Sequence, residues 1–224
     1  MATPDPAARR PLKSRDIALF RNMASGLARS GISPNAISGM SIVFGCAAGA
    51  AFAATAHTFG WTQRGCWLAG AVCIQGRLLA NMLDGMVAVE GGKGGPTGDL
   101  WNEAPDRVSD AATIIGAGYA AGSDPVLGFV AALMAVFIAY VRALGASVGA
   151  GQLFLGPQAK PQRMAVLTVT CLLTALVPTY PAVTGTPPSP LILIALLIII
   201  VGGAITSWRR LARISTYLRN RPRA

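Results

Sequence analysis

Long apolar runs separated by short polar segments dominate the chain, and they predict helices near 36–56, 66–89, 103–122, 125–146, 163–179 and 191–208. Each run approaches the roughly 20 residues that a bilayer core requires. The third is the least apolar, because its first turns carry charge. Ser33-Pro34-Asn35 opens the first run. Ahead of it, residues 13–30 place Ile17, Phe20, Met23, Ala24 and Leu27 at helical spacing, with Arg21, Asn22, Ser25 and Arg29 opposite. Such a basic amphipathic helix suits an anionic bilayer surface, and a solvated helix is the plainer reading. Residues 1–12, rich in Pro and Ala, are expected to be disordered. Residues 180–190, YPAVTGTPPSP, predict a Pro-rich external loop, and residues 209–224 a basic tail on anionic lipid. The expected architecture is an all-α integral membrane protein of six transmembrane helices, occupying 31–208, with an N-terminal interfacial helix.

Composition supports that reading. The chain is 53% hydrophobic and 12% charged, against about 25% charged for a soluble domain. The net charge of +10 would suit a nucleic-acid binder in a soluble protein. Here the basic residues lie between and beyond the apolar runs, so a bilayer is the expected partner and nucleic acid is not. Six crossings put all Lys and Arg except Arg64 and Arg77 on the side of the termini. That bias predicts cytoplasmic termini. The polar opening MATPDPAARRPLKSRD lacks an early apolar core, so no cleavable signal peptide is expected. The Ala- and Arg-rich composition suggests a bacterial inner membrane. Cys46, Cys66, Cys73 and Cys171 lie in or beside apolar runs without a C-x-x-C pair, which predicts buried free thiols.

One polar segment breaks the pattern: NMLDGMVAVEGGKGGPTGDLWNEAPDRVSD, residues 81–110. Arg77, Asn81, Asp84 and Ala88 are spaced 4, 3 and 4, which places them in one stripe on a helix. Asn102, Asp106, Asp110 and Thr113 form a second stripe, spaced 4, 4 and 3. A short loop joins the two helices, so antiparallel packing with facing stripes is expected. Ionisable groups at membrane depth usually face a cavity or a partner, and facing oxygen ligands suit a hard cation such as Mg2+. The alternative is a structural network in which Arg77 pairs with Asp84. Gly85, Ala88, Gly91, Gly92, Gly94, Gly95 and Gly98 leave room for a ligand to approach backbone. GGKGG is not a phosphate-binding P-loop, because no G-K-[ST] follows, and it reads as a flexible loop.

The run Asn81-Met-Leu-Asp84-Gly85-Met-Val-Ala88, then Gly98, Asn102 and Asp106, resembles the signature of the CDP-alcohol phosphatidyltransferases. That signature reads D-x-x-D-G-x-x-A-R, eight residues, G-x-x-x-D-x-x-x-D, and the spacing here fits without a gap. GISPNAIS before the first run, and YVRALGASVGAG followed by KPQRMA, are similar to further family segments. The departures are Asn81 and Asn102, at the first and third aspartates, and Val89 in place of arginine.

The resemblance implies a transferase that moves a phosphatidyl group from CDP-diacylglycerol to a small alcohol, releases CMP and uses Mg2+ or Mn2+. By position, Asn81, Asp84, Asn102 and Asp106 become the metal set, with Asp106 also the catalytic base. Asp110 continues the stripe as a replacement carboxylate; Glu90, Asp99 and Glu103 are less favourably placed. Asp84, Gly85, Ala88 and Gly98 fall at nucleotide-binding positions. Arg142, Lys160 and Arg163 lie on the same side as candidates for a substrate phosphate, although the positive-inside bias alone explains cytoplasmic Lys and Arg. A homodimer is also implied. Two other outcomes are a non-catalytic relative that binds nucleotide, lipid or metal, and a transferase that passes a CDP-linked head group to diacylglycerol. A small transporter fits poorly, because the charges crowd at one membrane face.

Overall fold

The structure, a computed structural model, describes residues 18–90, 97–176 and 189–220. Within them all regular structure is helical: α1 (Ala18–Arg29), α2 (Pro34–Ala54), a 3-10 turn (Thr55–His57), α3 (Gly60–Glu90), α4 (Gly98–Gly118), α5 (Pro125–Ser147), α6 (Lys160–Leu176) and α7 (Leu191–Asn220). The expected N-terminal disorder, the glycine loop at 91–96 and most of the Pro-rich loop lie outside the described residues.

Local chemistry sets the helix starts. Ser33 caps α2, its hydroxyl accepting from the Ala36 amide at 3.2 Å. Asp124 caps α5 in the same way through the Leu127 amide at 3.0 Å. Pro34 and Pro125 follow these caps, where a missing N–H costs nothing. Two helices outrun expectation. α3 begins at Gly60, six residues before the uncharged run, because Trp61, Gln63 and Arg64 tolerate a helix end. α7 continues from Trp208 to Asn220, since no Gly or Pro interrupts RRLARISTYLRN. The segment expected as a basic tail is therefore largely a rigid extension of the last helix. Its Arg210 is buried and donates to the carbonyls of Leu155 at 2.9 Å and Ile138 at 3.0 Å.

Four helical stretches among the described residues are long and apolar enough to cross a membrane: Pro34–His57, Gly60–Ala88, Pro125–Ser147 and Leu191–Asn220. Their outward faces expose large apolar side chains such as Val43, Val72, Leu133 and Val201. An apolar surface of that extent suits hydrocarbon rather than water. α4 and α6 fall outside this group; the first carries too many charges, and only 17 residues of the second are described.

α2 is the hub, packing against both α3 and α4, whereas α3 and α4 touch each other only briefly. The two stripes therefore meet locally, around Arg77, rather than along a closely packed pair of helices. The reason is a glycine contact between α2 and α4. A Cβ built on Gly116 would stand 2.2 Å from the Gly49 Cα, so only glycine allows the two backbones to meet. The Thr113 hydroxyl sits at the crossing, 2.8 Å from the Ser109 carbonyl of its own helix and 3.2 Å from that of Gly45. The main core joins Phe52 and Trp67, 6.0 Å apart, to Ile74, Ile114, Leu167 and Leu196. A smaller core seats α1 on α3 through Ala24, Ala80, Leu83 and Val87. The apolar face of α1 is thus partly spent on protein, leaving Leu19 and Met23 outside.

Candidate active site

The two polar stripes converge with the start of α6. On α3, Asp84 is buried and accepts a hydrogen bond at Oδ2 from Ser38 of α2, at 2.6 Å. Its other oxygen is also buried and has no hydrogen-bond partner among the described residues. Asp106 and Lys160 both lie near enough to act on Asp84 through their charges. On α4, Asp106 Oδ1 stands 2.5 Å from Lys160 Nζ and 3.9 Å from Arg77 Nη2. The Lys160 side chain is partly exposed, and Asp106 is its direct ion-pair partner.

One turn further along α4, Asp110 is buried between two buried guanidiniums. Arg163 Nη2 donates to its Oδ2 at 2.7 Å, and Arg77 Nη2 donates to its Oδ1. Arg77 also donates to Ser109 Oγ at 2.7 Å and to the Met164 sulfur at 3.0 Å. Arg163 Nη1 donates to the Gln158 carbonyl at 2.8 Å, tying down the approach to α6. The Arg77 partner is therefore Asp110, not Asp84. With both oxygens taken, Asp110 is not the spare metal ligand expected from its place in the stripe. Near the surface, Glu103 accepts from both Arg107 and Arg142. Arg142 also lies 3.4 Å from Gln152 Oε1 and 5.8 Å from the centre of the Phe154 ring.

The candidate residues thus sort by partner. Asp84 retains a buried carboxylate oxygen with no partner. Asp106 faces a single close lysine, and Asp110 is fully paired. Asn81 presents a buried amide nitrogen without a partner among the described residues. Amide nitrogen and oxygen exchange places by a simple flip, so an oxygen can occupy that position. Asn102 lies in α4, but its side chain falls outside the described residues, as do those of Val89, Glu90 and Asp99. Gly85 and Ala88 occupy the end of α3, and Gly98 the start of α4, where a Cβ would meet nothing within 4 Å. Sequence reasoning did not single out Ser38, although it closes the quoted segment GISPNAIS. Among the described residues no three His, Cys, Asp or Glu side chains gather at metal-binding range. The donors present suit a hard cation held by one free carboxylate with amide and water oxygens, rather than an all-carboxylate cage.

An all-helical bundle with apolar outer faces and a carboxylate, amide and lysine site at one end is the class that this geometry defines. No protein-family model matches the chain, and no curated protein matches it. Among solved structures, it is similar to the phosphatidylinositol phosphate synthase PgsA1 of Mycobacterium tuberculosis. The form with CDP-DAG bound gives a TM-score of 0.68 at 20% identity, covering 89% of this chain and 95% of that one. The complex with manganese and citrate gives 0.68 at 22% identity, covering 88% and 89%. The apo form gives 0.65 at 22% identity, covering 87% and 95%. At these identities the likeness establishes a shared fold.

Proposed function

We infer that this chain transfers a phosphatidyl group from CDP-diacylglycerol to a small alcohol, with release of CMP and dependence on a divalent cation. The observation that carries this reading is the buried, unpartnered oxygen of Asp84 beside Asp106, at the spacing of the resemblance. A buried anionic oxygen without a donor is costly unless something binds it. Likeness of fold to a protein solved with CDP-DAG, and again with manganese, supports the same reading.

Asp84 would hold Mg2+ or Mn2+, with Asn81, Asn102 and Asp106 as neighbours. When bound, that cation supplies positive charge to the donor diphosphate and to the departing CMP. The chain's own residues do the rest. Ser38 fixes the Asp84 rotamer. Asp106 takes the proton of the acceptor hydroxyl while that oxygen bonds to the phosphatidyl phosphorus and the bond to the CMP oxygen breaks. Lys160 Nζ, 2.5 Å from Asp106 Oδ1, holds that carboxylate in position. Gly85, Ala88 and Gly98 leave space for the nucleotide. Arg142 and Lys160, each partly exposed, can meet a substrate phosphate, whereas Arg163 is committed to Asp110. α4 and α6 complete six crossings, α1 rests at the interface, and the termini and the site face the cytoplasm. Lys and Arg placement supports that orientation.

Asn81 and Asn102 favour a second reading, a non-catalytic binder of nucleotide, lipid or metal. Incubating purified protein with labelled CDP-diacylglycerol, Mg2+ or Mn2+, and a panel of alcohols separates the two. Metal-dependent CMP release that disappears in Asp84→Ala and in Asp106→Ala is expected. Release that survives both changes rejects the site; no release with any acceptor supports the second reading.

A further inference from the structure

Resting on the metal reading above, we propose that the Lys160 ammonium already neutralises Asp106, so that the site takes one divalent ion, at Asp84. The carboxylates with described side chains on the facing parts of α3 and α4 are Asp84, Glu103, Asp106 and Asp110. Asp110 is neutralised by two guanidiniums and Glu103 by two more. Asp106 carries Lys160 at 2.5 Å. Of these four, Asp84 alone forms no ion pair with a described Lys or Arg. The stripes also offer Asn81 and Asn102, which bring oxygen but no charge.

Lys160 is not a surface side chain that swung in by chance. Arg163, three residues later on α6, is locked to Asp110, four residues after Asp106 on α4. Two ion pairs, Lys160–Asp106 and Arg163–Asp110, therefore join the same two helices one turn apart. Gln158 fixes the chain just before them, its carbonyl taking Arg163 and its amide donating to Thr206 Oγ1 at 3.0 Å. A divalent ion arriving at Asp106 would have to displace an ammonium held in place by this frame. It would also meet the nearby charge of Arg77.

The test is equilibrium binding of Mn2+ to the full chain in detergent, with free Mn2+ read by electron paramagnetic resonance. Wild type is expected to bind one Mn2+ per chain and Asp84→Asn none. Lys160→Met is expected to bind two, or one at least tenfold more tightly, and Lys160→Arg to bind one. Thermal melting of each variant checks that the fold is retained. If Lys160→Met does not fold, the count in wild type and Lys160→Arg still decides. Two ions bound by wild type, or no change in count or affinity in folded Lys160→Met, overturns the inference alone. No Mn2+ bound by wild type removes the metal reading and the inference with it.

Discussion

Removing the charge of Asp110 should destabilise the protein far more than removing the charge of Glu103, although each carboxylate bridges two arginines. In Asp110→Asn, two guanidiniums, Arg77 fully buried and Arg163 nearly so, lose their only fully buried anion. Breaking a buried charge pair by deleting one partner costs about 3–5 kcal/mol, because the remaining charge stays desolvated. Asp106, 3.9 Å from Arg77, offsets only part of this and already serves Lys160. In Glu103→Gln the carboxylate is 44% exposed, and its arginines turn to water. Partly exposed pairs are worth about 0–1 kcal/mol. For a chain of this length, the Asp110 change corresponds to a fall in melting temperature on the order of 10 °C. The Glu103 change should be within a few degrees of wild type. Thermal unfolding in detergent, followed by tryptophan fluorescence, makes the comparison. Equal shifts for the two variants, or an Asp110→Asn within about 1 kcal/mol of wild type, would refute the argument from burial.

Further predictions concern the crossing and the metal. Gly116→Ala sets a methyl 2.2 Å from the Gly49 Cα, and the forced separation of α2 and α4 should cost about 1–3 kcal/mol, read in the same melt. Ser38→Ala removes a hydrogen bond to a buried carboxylate, an interaction worth about 1.5–3 kcal/mol, so half-maximal CMP release should require roughly tenfold more Mg2+. Asn81→Asp adds a negative charge beside Asp84 and should lower the Mg2+ required; an unchanged requirement would show that Asn81 lies outside the ion's reach.

Apolar runs located the helices because burial in hydrocarbon leaves an unambiguous mark. The predicted 125–146 became Pro125–Ser147, and the predicted 36–56 became Pro34–Ala54. The ends of α3 and α7 were hidden, since charged residues tolerate helix as well as coil, and only packing decides. Within the site, a period of 3.6 placed Asn81 with Asp84 and Asp106 with Asp110. It could not tell which carboxylate Arg77 reaches, because that depends on the axial offset of α3 against α4. That offset is set through α2, which meets α4 where Gly49 faces Gly116 and meets α3 where Phe52 faces Gly70, contacts between distant parts of the chain. Ser38 and the pairing of Lys160 with Asp106 were hidden for the same reason. Each side chain is readable alone, but its partner is supplied by another helix.

The ladder of ion pairs between α4 and α6 bears on how the protein is made. On the six-crossing arrangement, α4 brings Asp106 and Asp110 into the bilayer region, where one aspartate near a helix centre costs about 2.5–3.5 kcal/mol to insert. Their cationic partners on α6 leave the ribosome some 50 residues after Asp110. On the same arrangement Arg77 of α3 is the counter-charge that precedes Asp110 in the chain. On that arrangement the ion pairs of the segment that carries the proposed base are complete only once α6 has followed it.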